Sequence, residues 1–111
     1  MTSQTIQEIM KKFTEAAKQT YGSILREVVL YGSCARGDFE PDSDIDIMVL
    51  LDIPSDDIRK ERNKILDISD KLDLAYDTVL APVFQSAETF DRYLPVSPFY
   101  QNIRREGVRY A

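Results

Sequence analysis

Apolar residues recur three or four positions apart near the start of the chain, at Ile6, Ile9, Met10, Phe13, Ala17 and Tyr21. That spacing keeps one helical face apolar and predicts a first helix, with Ser3 as its cap and Gly22 as its stop. The period then changes. Val28, Val29 and Leu30 form a compact apolar run closed by Tyr31 and Gly32, the mark of a short buried strand. The small residues from Ser33 to Asp38 predict a turn with room for one turn of helix. From Ile45 to Leu51 (IDIMVLL), one acidic residue, Asp46, stands between isoleucines before a continuous apolar run, which predicts a central strand. Pro54 and Ser55 open a second long helix in which Ile58, Ile65, Ile68 or Ser69, and Leu72 share a face. Leu74 to Leu80 (LAYDTVL) reads as a third strand, closed by Pro82. Beyond it, Ala87 to Tyr93 is expected as a short helix, and Pro95 and Pro98 interrupt the chain before a helical turn over Phe99 to Arg105. The order is helix, strand, turn, strand, helix, strand and an irregular tail. It predicts an α+β fold, a small mixed sheet with helices packed on it.

The 111 residues leave room for one domain, residues 1–111, which at this size buries roughly two-thirds of its unfolded surface without disulfide or metal staples. Fourteen Lys and Arg against nineteen Asp and Glu give a net charge of −5, so direct gripping of nucleic-acid backbones is not expected. A single cysteine, Cys34, makes no internal disulfide, and the first residues lack the apolar core of a signal peptide; a reducing cytoplasm is the expected setting. No stretch reaches the length of a membrane span. The absence of histidine excludes imidazole acid–base chemistry and histidine metal sites, leaving carboxylates, hydroxyls and backbone.

Charge is distributed unevenly. Between Arg36 and Arg59 stand eight acidic residues and no basic one. Such a block often forms a solvated loop, but Asp46 at the head of an apolar strand is costly unless paired or bound to a cation. Asp42, Asp44 and Asp46 mimic the opening of an EF-hand loop, yet Ile47 and Ile53 stand where it needs glycine and glutamate. Gly32 and Gly37 have Walker A spacing, yet Asp38 and Phe39 follow instead of lysine and a hydroxyl residue. What remains is Gly32-Ser33 at a strand end, ten residues, then Asp44-Ile45-Asp46 at the start of the next strand. In a strand, residues two apart share a face, so Asp44 and Asp46 point the same way and suit one or two hard divalent cations. Gly32 lets a phosphate approach the backbone, and Ser33 offers a hydroxyl and an amide. Asp77, mid-strand in LAYDTVL, reaches the same cluster if that strand neighbours the second. Cys34, with no basic neighbour, is read as a packing residue.

The run Leu30 to Leu50, LYGSCARGDFEPDSDIDIMVL, resembles the minimal nucleotidyltransferase family of the DNA polymerase β-like superfamily, whose mark is Gly-Ser, about ten residues, then Asp-x-Asp. The resemblance implies that fold, and a reaction in which a hydroxyl attacks the α-phosphate of ATP while pyrophosphate leaves. Asp44, Asp46 and a third carboxylate, matched by Asp77 with Asp73 as competitor, would hold Mg2+ or Mn2+. Gly32 and Ser33 would position the β- and γ-phosphates. Ser43 is expected on phosphate or as a cap of the motif, and Arg36 on the triphosphate or paired with Asp38 or Glu40. Stand-alone proteins of this kind resemble the antitoxins of HEPN toxin–antitoxin pairs, which implies transfer of AMP to a tyrosine of a HEPN-type toxin. Two alternatives stay open: an antitoxin that neutralises by binding alone, and a nucleotidyltransferase acting on a small molecule such as an antibiotic.

Overall fold

The computed structural model describes residues 1–111. The first helix, α1 (Ser3–Tyr21), buries Ile6, Ile9, Met10, Phe13, Ala17 and Tyr21, the face that the spacing predicts. Its cap is Thr2 rather than Ser3: the Thr2 hydroxyl accepts from the Thr5 amide at 3.1 Å. Gly22 stops it with φ 54°. Strand β1 (Leu25–Tyr31) leads through Gly32 into the single-turn helix α2 (Ser33–Arg36), and the acidic connection returns as β2 (Ile45–Leu51).

The expected second long helix is two helices, α3 (Ile58–Asn63) and α4 (Leu66–Tyr76), preceded by a 3-10 turn at Ser55–Asp57. Helix α4 absorbs the first half of the segment expected as the third strand. Its buried residues Ser69 and Leu72 hold helical spacing, whereas Leu74, the first residue of the expected strand, is 88% exposed and contributes nothing to the core. The strand itself, β3 (Leu80–Ser86), lies six residues later and contains Pro82 instead of ending before it. Proline is tolerated because β3 is an edge strand of a sheet ordered β3-β2-β1-β4. Helix α5 (Ala87–Tyr93) falls where expected. The tail is ordered: α6 (Pro98–Glu106), capped by Ser97, is followed by β4 (Val108–Arg109), which extends the sheet beside β1.

Strand β2 runs antiparallel to β1 and parallel to β3, so the sheet is mixed as expected. Its residues alternate between two layers. Ile45, Ile47, Val49 and Leu51 join α1 and α4 in the larger core, while Met48 and Leu50 meet Ala87, Phe90 and Ile103 of α5 and α6. Asp46 belongs to this second face, at the end that the helices leave half-covered. No helix is long and apolar enough to cross a membrane.

Gly107 joins α6 to β4 with its amide on the Ile103 carbonyl at 2.8 Å. A Cβ there would collide with that carbonyl oxygen and with a Val29 methyl. Gly107→Ala is expected to cost about 1–3 kcal/mol, the usual range for overpacking, read as a lower midpoint in urea with an unchanged slope.

Candidate functional site

The β1–β2 hairpin builds the centre of the site. Tyr31 and Asp46 are direct partners across the two strands, so Gly32, one residue on, is carried against the Asp46 carboxylate. Gly32 has φ 75° and ψ −157°, a region open almost only to glycine. A Cβ at this position would occupy the space of Asp46 Oδ2. The backbone turn is held by the Ala35 and Arg36 amides on the Gly32 carbonyl, both at 3.1 Å, and ends at Gly37 with φ 88°.

Cys34 is the buried residue of α2, with its thiol 3.5 Å from the Asp44 carbonyl. Burial, reinforced by the Asp46 charge, pushes this thiol up, which suits a packing residue and not a nucleophile. Ser43 accepts from the Glu40 amide at 2.8 Å and returns its own amide to the Glu40 carbonyl at 3.1 Å. It therefore fastens the turn ahead of Asp44.

Asp44 is exposed just before β2; Asp46 is half-buried. Burial first, and the Asp44 charge second, hold the Asp46 carboxyl above its usual range, against a smaller opposite pull from Arg36. Burial and then the Asp46 charge likewise push the Tyr31 hydroxyl up. Two carboxylates whose proximity is unfavourable, one seated against a glycine with no room for a side chain, form a donor set that fits a hard divalent cation.

Arg36 is exposed and doubly paired, with Asp38 at 3.2 Å and with Glu106 of α6 at 3.2 Å. Its partnership with Glu40, one of the expected alternatives, is not formed. Glu106 stands 70 residues away in sequence, and no local pattern marks it as part of the site. Together with Phe99 and Asn102 it borders a recess of about 190 Å³ that also touches Gly32 and Arg36.

Asp77 is not on a strand. It ends α4 in the left-handed conformation, φ 54°, exposed on the loop before β3. Asp and Asn are the non-glycine residues that best tolerate this conformation. With Asp42, Ser43 and Val79 it lines a notch of about 280 Å³. Asp73 is engaged in building that loop, accepting from the Leu80 amide at 2.7 Å and from the Thr78 hydroxyl at 3.5 Å. Burial holds its carboxyl above the usual range, with the Leu80 amide pulling the other way. The structure brings Gly32, Ser33, Asp44 and Asp46 together and leaves no three acidic side chains gathered in metal-binding geometry.

Comparison with known proteins gives a consistent result. The pattern of the nucleotidyltransferase domain matches residues 10–107. A candidate protein adenylyltransferase of Methanocaldococcus jannaschii is 33% identical over 101 residues, which cover 91% of this chain and 93% of that protein. A solved structure of a mutant MntA toxin–antitoxin pair is similar with TM-score 0.55 at 21% identity, over 94% of this chain and 70% of that one. A candidate nucleotidyltransferase from Sulfolobus solfataricus is similar with TM-score 0.54 at 18% identity, over 99% and 87%. At such identities the two structures share the fold.

Proposed function

The chain belongs to the nucleotidyltransferase domain family, and from that membership we propose that it is a protein adenylyltransferase acting as an antitoxin. It moves AMP from ATP to a tyrosine hydroxyl of a HEPN-type partner toxin, with Mg2+ or Mn2+ at Asp44 and Asp46. The observation that carries this reading is the contact between Gly32 and Asp46, which places a phosphate-accessible backbone turn against a carboxylate pair. Support for a protein acceptor comes from the name of the 33% identical relative. The toxin partner is argued from the toxin–antitoxin pair that shares the fold, and from a net charge of −5 that suits a basic, RNA-binding partner.

Divalent cations at such a site draw charge from the attacking and leaving oxygens. The chain's own residues set the geometry. Gly32 and Ser33 hold the β- and γ-phosphates on the β1 side of Asp46. Arg36 exchanges its pairing with Glu106 and Asp38 for the triphosphate. In-line displacement places the acceptor opposite the leaving pyrophosphate, hence on the β3 side, where the notch beside Asp42 and Asp77 lies. The tyrosine oxygen bonds to the α-phosphorus, the bond to the bridging oxygen breaks, and pyrophosphate departs. The phenolic proton passes to solvent or to a carboxylate bordering the notch.

The test is incubation with magnesium, α-labelled ATP and the product of the adjacent gene, followed by mass spectrometry. One or more AMP units on a tyrosine of the partner are expected. The yield should fall by at least about a hundredfold in the Asp44→Asn, Asp46→Asn double variant. Tight binding with no modification under any triphosphate would replace catalysis by sequestration. A labelled small product would instead favour a small-molecule acceptor.

A further inference from the structure

Asp46 has two lateral neighbours in the sheet, Tyr31 on β1 and Ala81 on β3. Lateral partners point to the same face, so all three side chains share one. The surroundings agree: Leu80 and Phe84 enter the core under α1, while Gln85, two positions on from Val83, reaches the Tyr100 hydroxyl in the opposite layer at 3.0 Å. Gly32 backs the Asp46 carboxylate and the Tyr31 ring packs edge-on against Phe99 at 5.7 Å, so position 81 is the sheet position from which a third carboxylate would join the pair.

That position holds alanine, and β3 (LAPVFQS) contains no acidic residue at all. Asp77 precedes it by four residues on the exposed helix cap, and Asp73 is tied into the loop through Oδ1, which accepts from the Leu80 amide and the Thr78 hydroxyl. Resting on the nucleotidyltransferase reading, we infer that the cation centre of this chain is a two-carboxylate one. Asp44 and Asp46 are its protein ligands, and Ala81 stands in the place of a third. Cation affinity in the absence of nucleotide is correspondingly low, because affinity follows the number of charged ligands and the remaining positions fall to water and triphosphate oxygens.

The experiment titrates Mn2+ into the full chain without nucleotide, following the electron paramagnetic resonance signal of the free ion. Asp77→Asn and Asp73→Asn are expected to leave the affinity within about twofold of wild type, and Ala81→Asp to raise it by at least about tenfold. Ala81→Asn, of the same size without the charge, should give no gain. In the absence of metal, Ala81→Asp should also melt lower than wild type and recover on addition of Mn2+, since three carboxylates then repel. A several-fold loss in Asp77→Asn or Asp73→Asn would overturn the inference, and so would an Ala81→Asp protein that folds without binding more tightly. If Ala81→Asp does not fold, the Asp77 and Asp73 arms decide alone. Unchanged binding in Asp46→Asn would overturn the underlying assignment of the pair itself, an outcome that the other variants do not mimic.

Discussion

Replacing Gly32 by alanine is expected to cut nucleotidyl transfer by at least about a hundredfold, the scale associated with displacing a catalytic group by an ångström. Two effects combine. The backbone at Gly32, φ 75° and ψ −157°, costs a residue with a Cβ about 1–3 kcal/mol. The new methyl also presses into Asp46 Oδ2, so the carboxylate must turn out of its seat while β2 keeps the Asp46 backbone in register with Tyr31 and Ala81. Gly37→Ala separates the two effects. Gly37 has φ 88°, but a methyl added there would meet nothing within 4 Å, so its substitution strains the backbone and leaves the carboxylates alone. Both variants should lose thermal stability, Gly32→Ala the more, while Gly37→Ala loses less than about tenfold in kcat/KM. Equal rate losses would mean that loop conformation, and not the seat of Asp46, limits the reaction.

What the sequence reveals of this site is what lies within one hairpin. Gly32 and Ser33 follow the end of β1, Asp44 and Asp46 flank the start of β2, only ten residues separate the two groups, and the antiparallel partnership of Tyr31 with Asp46 brings them together by local pairing alone. The third strand is a different case. LAYDTVL, a short segment with apolar ends before a proline, imitates a strand, but Leu74 faces solvent and Asp77 caps a helix in a conformation that periodicity does not encode. The competing signal, Pro82, points away from a strand and is overruled because β3 lies at the sheet edge. Long-range ion pairs are illegible for a simpler reason. Arg36 meets Glu106 across 70 residues and Arg104 meets Glu27 across 77, and nothing in the local sequence of any of them names its partner. The α+β class, the mixed sheet and the Asp-x-Asp pair are local consequences of pattern; the ordered tail, β4 and the closing of α6 over β1 are tertiary ones.

The second of those pairs controls the stability of the tail. Glu27 is only 7% exposed, and Arg104 donates to both of its oxygens at 2.7 Å while its guanidinium lies 4.8 Å from the centre of the Phe90 ring. Hydrogen bonding from Arg104 holds the Glu27 carboxyl below its usual range against the opposing effect of burial, with smaller help from Arg109 and Arg26. Arg104→Ala leaves that carboxylate with Arg109, 4.0 Å away, as its nearest cation. The expected loss is about 2–3 kcal/mol, at the low end for a broken buried pair because Arg104 is partly solvated, or roughly a 10 °C fall in Tm. The pH dependence follows from the sign of the shift. A carboxyl lowered in the folded state stabilises above its unfolded value of about 4.3 and loses that contribution as the pH falls through the lowered one. The gap between wild type and Arg104→Ala is therefore widest near neutrality and closes in acid, which thermal melts from about pH 7 down to about pH 3 would show. A gap constant across that range would make the lost packing on Phe90, and not the charge pair, the source of the effect.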